Sequence, residues 1–105
     1  MDAALERIIQ AIVEYKEPSR IILFGSKARK EGRPDSDTDV CVLYDSLPGR
    51  NLEVLQELYA GLYRRELNSV DLVVYDETSF ADRAGRRNSL EANILEEGIP
   101  VYGPA

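Results

Sequence analysis

Ile21-Ile22-Leu23-Phe24-Gly25-Ser26-Lys27-Ala28-Arg29-Lys30-Glu31-Gly32-Arg33-Pro34-Asp35-Ser36-Asp37-Thr38-Asp39-Val40-Cys41-Val42-Leu43-Tyr44 is the stretch that decides the fold. A short apolar run, Ile21 to Phe24, stops at Gly25. A basic loop broken by Gly32 and Pro34 follows, and a second apolar run leaves from Asp39. Short continuous apolar runs bounded by turn residues read as buried strands. A third run, Val70-Asp71-Leu72-Val73-Val74-Tyr75, carries an acid at its start. If the end of the first run and the start of the second meet at one place, those strands are antiparallel. Bringing Asp71 beside Asp37 makes the second and third strands parallel.

Helical patterns fill the intervals. Leu5, Ile8, Ile9, Ile12 and Val13 mark an amphipathic helix over roughly residues 2 to 16, which Pro18 stops. Ser26 to Lys30 reads as a short helix with Ser26 as its N-cap. Leu52, Leu55, Leu58, Tyr59, Leu62 and Tyr63 predict a helix over about 51 to 67, which joins the two parallel strands. A helical turn is expected at Thr78 to Asp82. Leu90, Ile94 and Leu95 mark a last helix, with Gly98 as its C-terminal cap and Pro100 beyond. Ile99 to Tyr102 reads as a small final strand. The fold class is therefore α/β (α+β): a small mixed β-sheet flanked by helices, expected as one domain over residues 1–105.

With 105 residues, 44% of them hydrophobic, the chain carries enough apolar material for a core without disulfides. The one cysteine, Cys41, shares an apolar run with Val40 and Val42 and reads as core. There is no His, which removes the usual zinc sites and every His base. The net charge of -6 disfavours broad binding to nucleic-acid backbones and is compatible with a basic protein partner. Neither a signal peptide nor an apolar run long enough for a membrane span is visible, so a cytoplasmic location is expected.

The acids carry the chemistry. Residues two apart on a strand share a face, so Asp37 and Asp39 point the same way. Magnesium takes oxygen ligands, commonly carboxylates plus substrate phosphates, and paired ions stabilise both oxygens of an in-line displacement. Asp71 supplies a third carboxylate. Crowded carboxylates repel, so at least one pKa is expected to rise. Gly25 lets backbone approach phosphates, and Ser26 with the following N–H groups suits an anion. Lys27 and Arg29, with Lys30 and Arg33 in the same loop, are candidates for contact with a triphosphate or leaving pyrophosphate. The set points to nucleotidyl transfer with paired Mg2+ ions and a nucleoside triphosphate as substrate.

Plainer readings exist. Asp-x-Asp is common in solvated turns, but a mere surface loop needs neither apolar strands at both ends nor an acid inside a third run. The alternation of Asp35, Asp37 and Asp39 suggests a calcium loop, yet an EF-hand wants Gly and Glu where Val40 and Ser46 stand. Tyr59 and Tyr63 read as core or partner packing, and Arg83, Arg86 and Arg87 as a solvated basic face.

Leu23-Phe24-Gly25-Ser26-Lys27-Ala28-Arg29, Arg33-Pro34-Asp35-Ser36-Asp37-Thr38-Asp39 and Val70-Asp71-Leu72-Val73-Val74 resemble the nucleotidyltransferase superfamily that includes DNA polymerase beta. The likeness is greatest to its minimal nucleotidyltransferase (MNT) members, whose ending Ile94 to Tyr102 also resembles. The resemblance implies Asp37, Asp39 and Asp71 as catalytic and metal-binding residues, with Gly25 and Ser26 meeting the triphosphate. Lys27 stands where Arg is frequent, and Lys30 where Gly is frequent. The resemblance further implies an antitoxin that transfers AMP from ATP to a tyrosine of a HEPN-type toxin partner. Two alternatives stay open: a binding module that blocks its partner sterically, and an adenylyltransferase with a small-molecule or RNA acceptor.

Overall fold

A computed structural model of the chain describes residues 3–33 and 36–104. The expected helix start at Asp2, the loop break at Pro34 and the alternating Asp35 lie outside the described residues. The order is α1 (Ala3–Tyr15), β1 (Arg20–Phe24), α2 (Gly25–Ala28), β2 (Thr38–Tyr44), α3 (Asn51–Arg64), β3 (Val70–Asp76), α4 (Glu77–Ala84), α5 (Leu90–Glu97) and β4 (Ile99–Tyr102). The strands form one sheet in the order β3-β2-β1-β4. β1 runs antiparallel to both β2 and β4, and β2 runs parallel to β3. The mixed sheet expected from the acids is the one observed.

Strand alternation divides the core in two. Ile21, Val40, Val42, Tyr44, Leu72 and Val74 face α1 and α3, where they meet Ile8, Ile12, Leu58 and Leu62. Ile22, Cys41 and Leu43, with Phe24, Val73 and Tyr75, face Phe80 of α4 and Ile94 of α5. The stripes of α1 and α3 thus bury on one face, and the shorter α4 and α5 cover the other. Burial pushes the Cys41 thiol up to about 12, in keeping with an inert core residue. No helix among the described residues is long and apolar enough to cross a membrane.

The ends of the elements differ from the sequence expectation for local reasons. α3 stops at Arg64 rather than near 67, because Arg65 and Glu66 N–H groups bond back to Leu62 and Tyr63 carbonyls and Glu66 turns left-handed at φ 59. α4 is longer than the expected turn, since Asp76 caps it by accepting from Ser79 N–H at 2.8 Å. Arg20 on β1 and Glu77 on α4 make a bidentate pair that ties this helix to the sheet. Ser26 is not the cap of α2: Phe24 holds that position, without a side-chain bond. Gly98 caps α5 as expected, with its N–H bonded to the Ile94 carbonyl, but its backbone is extended rather than left-handed. A Cβ there would lie 2.4 Å from Ile22 Cγ2 and from the Ile94 carbonyl. Lack of space, not a positive φ, requires glycine.

β3 is a sheet edge, and edges left bare invite pairing with other chains. Two α3 side chains cover this one. Leu72 N–H donates to Tyr59 Oη at 2.8 Å, and Asn51 Nδ2 donates to the Val74 carbonyl at 2.7 Å. Tyr59 therefore satisfies backbone as well as packing on Tyr63. Tyr59→Phe is expected to cost about 1–2 kcal/mol, the worth of one partly buried donor left unpaired, measured by urea denaturation.

Candidate functional site

Three strand ends converge at one edge of the sheet. In register, Phe24 at the end of β1 stands opposite Asp39 on β2, and Asp39 stands beside Asp71 on β3. Asp39 alternates with Cys41 and Leu43, and Asp71 with Val73 and Tyr75, so both acids project from the α4/α5 face. Asp37 lies just before β2, near enough to act on the Asp39 carboxyl. Asp39 is half-buried, and Asp37 and Asp71 are exposed.

The acids lie near enough to act on one another. The Asp39 carboxyl is pushed above the usual carboxylate range, first by burial and then by Asp71 and Asp37, while Arg29 and Lys27 pull the other way. The acids nevertheless do not close on a point. Among the described residues, no three His, Cys, Asp or Glu side chains are arranged to hold a metal ion. The donor set itself suits magnesium, being all carboxylate oxygen. Asp37 and Asp39 would hold such an ion, with Asp71 adjacent.

Repulsion among these acids has a measurable sign. The folded chain holds the Asp39 proton more tightly than the unfolded chain does. Stability therefore falls as pH rises from the ordinary carboxylate value of 3.8 through the raised one. Without divalent ions, Asp39→Asn should raise the thermal midpoint at pH 7. The advantage should vanish below pH 3.8, where Asp39 is protonated in both states. Thermal melts across pH check this.

The turn above the acids explains its glycine. Gly25 adopts φ 75, and a Cβ there would sit 2.2 Å from Asp39 Oδ2. The backbone thus lies directly against the half-buried carboxylate. Ser26 follows in α2, and its carbonyl accepts from Glu31 N–H at 2.9 Å, closing the loop back on itself. Gly32 is crowded too, less severely, with Lys27 Cγ, Ser36 Oγ and Ser26 Oγ within 3.1 Å of an added Cβ.

The basic loop is sorted in a way its sequence does not reveal. Lys27 Nζ donates to Thr38 Oγ1 at 3.0 Å. Thr38 alternates with Asp39 and faces α1, so Lys27 reaches past the strand end toward the opposite face. Arg29 Nε donates to Glu31 at 2.7 Å, and Arg29 Nη1 lies 3.5 Å from Glu97 on α5. Both cations lie near enough to act on Asp39, but each is held by protein. Thr38 was missed by sequence reasoning. Its signal was a hydroxyl of opposite alternation set between two acids. In the second basic cluster, Arg83 stacks 5.9 Å over the Tyr75 ring of β3, and Arg86 pairs with Asp82 of α4.

Comparison with known proteins agrees with this geometry. Residues 6–104 match the family model described as polymerase beta, nucleotidyltransferase. A protein from Sulfolobus solfataricus described as a nucleotidyltransferase is similar in structure at TM-score 0.56 and 18% identity, over 98% of this chain and 89% of that one. A toxin–antitoxin protein solved with AMP-PNP is similar at TM-score 0.59 and 23% identity, over 94% of this chain and 73% of that one. No curated protein sequence matches the chain.

Proposed function

Because this chain belongs to the polymerase beta nucleotidyltransferase family, we propose that it is a Mg2+-dependent nucleotidyltransferase that moves AMP from ATP to a tyrosine hydroxyl of a HEPN-type toxin. It would be a single nucleotidyltransferase domain of the minimal kind, acting in the cytoplasm as an antitoxin. The observation that carries the reading is the register of Asp39 beside Asp71, with Asp37 just before β2 and Gly25 backbone against Asp39.

Asp37 and Asp39 would orient the triphosphate and Asp71 would accept the proton of the incoming hydroxyl. Bound divalent ions would supply positive charge to the phosphates and lower the pKa of that hydroxyl. The acceptor oxygen bonds to the α-phosphorus, the α–β bridge breaks, and pyrophosphate leaves with the electron pair. Gly25 and Ser26 would meet the triphosphate, and Lys27 and Arg29 would turn to it from their present partners. The structural likeness to a toxin–antitoxin protein solved with AMP-PNP supports a protein acceptor.

The test is incubation of the chain with ATP labelled at the α-phosphate and a purified HEPN toxin encoded beside it. Label should appear on the toxin and its tyrosine. Label absent while the two proteins still bind removes the proposal.

A second reading, a module that blocks its partner without chemistry, is favoured by the net charge of -6, which suits a basic partner. The double variant Asp37→Ala plus Asp39→Ala separates the two. Full neutralisation of the toxin by that variant would make the chemistry dispensable.

A further inference from the structure

α3 carries a second apolar stripe besides the one it buries. Val54, Leu58 and Leu62 join the core. Leu52, Leu55, Tyr59 and Tyr63, spaced three and four apart, share another side of the helix. Leu52 is 63% exposed and Tyr63 59%, and Leu55 and Tyr59 between them are half-buried. Tyr63 stacks on Tyr59 with ring centroids 6.1 Å apart, and Tyr59 reaches the Leu72 N–H. The stripe therefore runs along the outer side of β3, the edge strand of the sheet. At its Leu52 end lies a concavity of about 420 Å3, lined by apolar Leu47, Leu55, Leu72 and Val74 and by polar Asn51 and Arg83. Contiguous exposed apolar side chains beside a pocket mark a protein-binding face.

The stripe leads to the acids. β2 and β3 run parallel, so α3 travels back along the sheet and ends at the edge where both strands begin. Tyr59 Oη takes its bond from Leu72, the residue after Asp71. Tyr63 lies one turn, about 5.4 Å, closer to that end. The Gly25 turn and the basic loop stand on the β1 side of Asp39, and Asp71 stands on the β3 side. In the nucleotidyl-transfer reading the triphosphate occupies the former side. An incoming hydroxyl then reaches Asp71 from beyond β3, beside Tyr63. The same edge tells against an added strand. Tyr59 and Asn51 already occupy backbone groups of Leu72 and Val74 that a strand would need. Side chains spaced three and four apart on a helix instead take the ridge of another helix.

We infer that the α3 stripe and the concavity beside it are the docking face for the protein acceptor, whose amphipathic helix lies along the outer side of β3. An apolar ridge on that helix covers Leu52, Tyr59 and Tyr63, and one large side chain fills the concavity. Glu53 and Glu57 are exposed on α3 next to the stripe, and the net charge of the chain is -6, so the flanks of the docking helix are basic. Docked there, the acceptor presents its hydroxyl to Asp71 from the side away from the Gly25 turn. The inference deepens the nucleotidyl-transfer reading and rests on it for the acceptor, but the docking itself is measured without transfer.

The test is calorimetry of this chain with the purified HEPN toxin encoded beside it, in EDTA and without ATP. Leu52→Glu plus Tyr63→Glu should weaken binding at least about tenfold with an unchanged thermal midpoint, because both side chains are exposed. Leu52→Ala plus Tyr63→Ala, which brings in no charge, should weaken it in the same direction. Leu95→Glu, at an exposed apolar site on α5 across the sheet, should leave it unchanged. No binding by the wild-type chain, or undiminished binding by both stripe variants, overturns the inference. So does a wild-type chain that sediments as a dimer which Leu52→Glu plus Tyr63→Glu dissociates, since a second copy then covers the face. Transfer assays keep the two readings apart. The double Glu variant should raise KM for the toxin and leave KM for Mg-ATP unchanged. Weakened toxin binding in that variant, with no transfer by the wild-type chain, removes the nucleotidyl-transfer reading and keeps the docking face. Transfer by the variant with the wild-type KM for the toxin removes the docking face and keeps the reading.

Discussion

Asp39→Ala is expected to lower nucleotidyl transfer by at least about 10³-fold while leaving the chain folded. Loss of metal-borne charge stabilisation is worth several kcal/mol, and each ~1.4 kcal/mol is tenfold in rate. Asp39 is the half-buried member of the trio, in register between Phe24 and Asp71. Removing it takes away the carboxylate nearest the Gly25 turn and leaves the exposed pair without a shared neighbour. The fold should not suffer, because Asp39 contributes repulsion rather than packing. Rate loss with an unchanged or higher thermal midpoint is therefore the signature. A matching loss of stability would mean that Asp39 has a structural role instead.

Gly25→Ala is expected to cost about 1–2 kcal/mol of stability and about 10²-fold in rate. The stability term is the left-handed backbone at φ 75, which a side chain disfavours. The rate term is larger in consequence. A methyl group 2.2 Å from Asp39 Oδ2 must push that carboxylate or the turn aside, and misplacement of reacting groups by about 1 Å costs roughly that factor. Urea denaturation and steady-state transfer rates measure the two effects separately. A Gly25→Ala chain with full activity would show that the close approach of backbone to Asp39 has no part in the chemistry.

The sheet was readable because each strand is a continuous apolar run with a turn residue at its end. Its direction followed from the acids. Once Asp37, Asp39 and Asp71 are required at one edge, β1 and β2 must oppose and β2 and β3 must agree, as they do. Helix ends were less legible, because capping depends on single side chains. Asp76 starts α4 and Glu66 ends α3 by local geometry that hydrophobic periodicity does not encode. Gly98 caps α5 as expected, but the crowding by Ile22 and Ile94 that excludes a side chain there is a tertiary fact. The basic loop hid most. Four cations close in sequence divide into Arg29, which turns to Glu31 and Glu97, and three that line one concavity. Only the alternation of Thr38 against Asp39, seen with Lys27 in place, separates them. The convergence of the acids was legible as a shared edge and face, but not the distance that still separates their side chains.

Calorimetry of ATP binding with and without Mg2+ tests the central claim most directly, run on the wild-type chain and on Asp37→Asn plus Asp39→Asn. Mg2+ should tighten ATP binding to the wild-type chain at least tenfold and give the variant no gain. Equal affinity for ATP with and without Mg2+ in the wild-type chain would contradict the account.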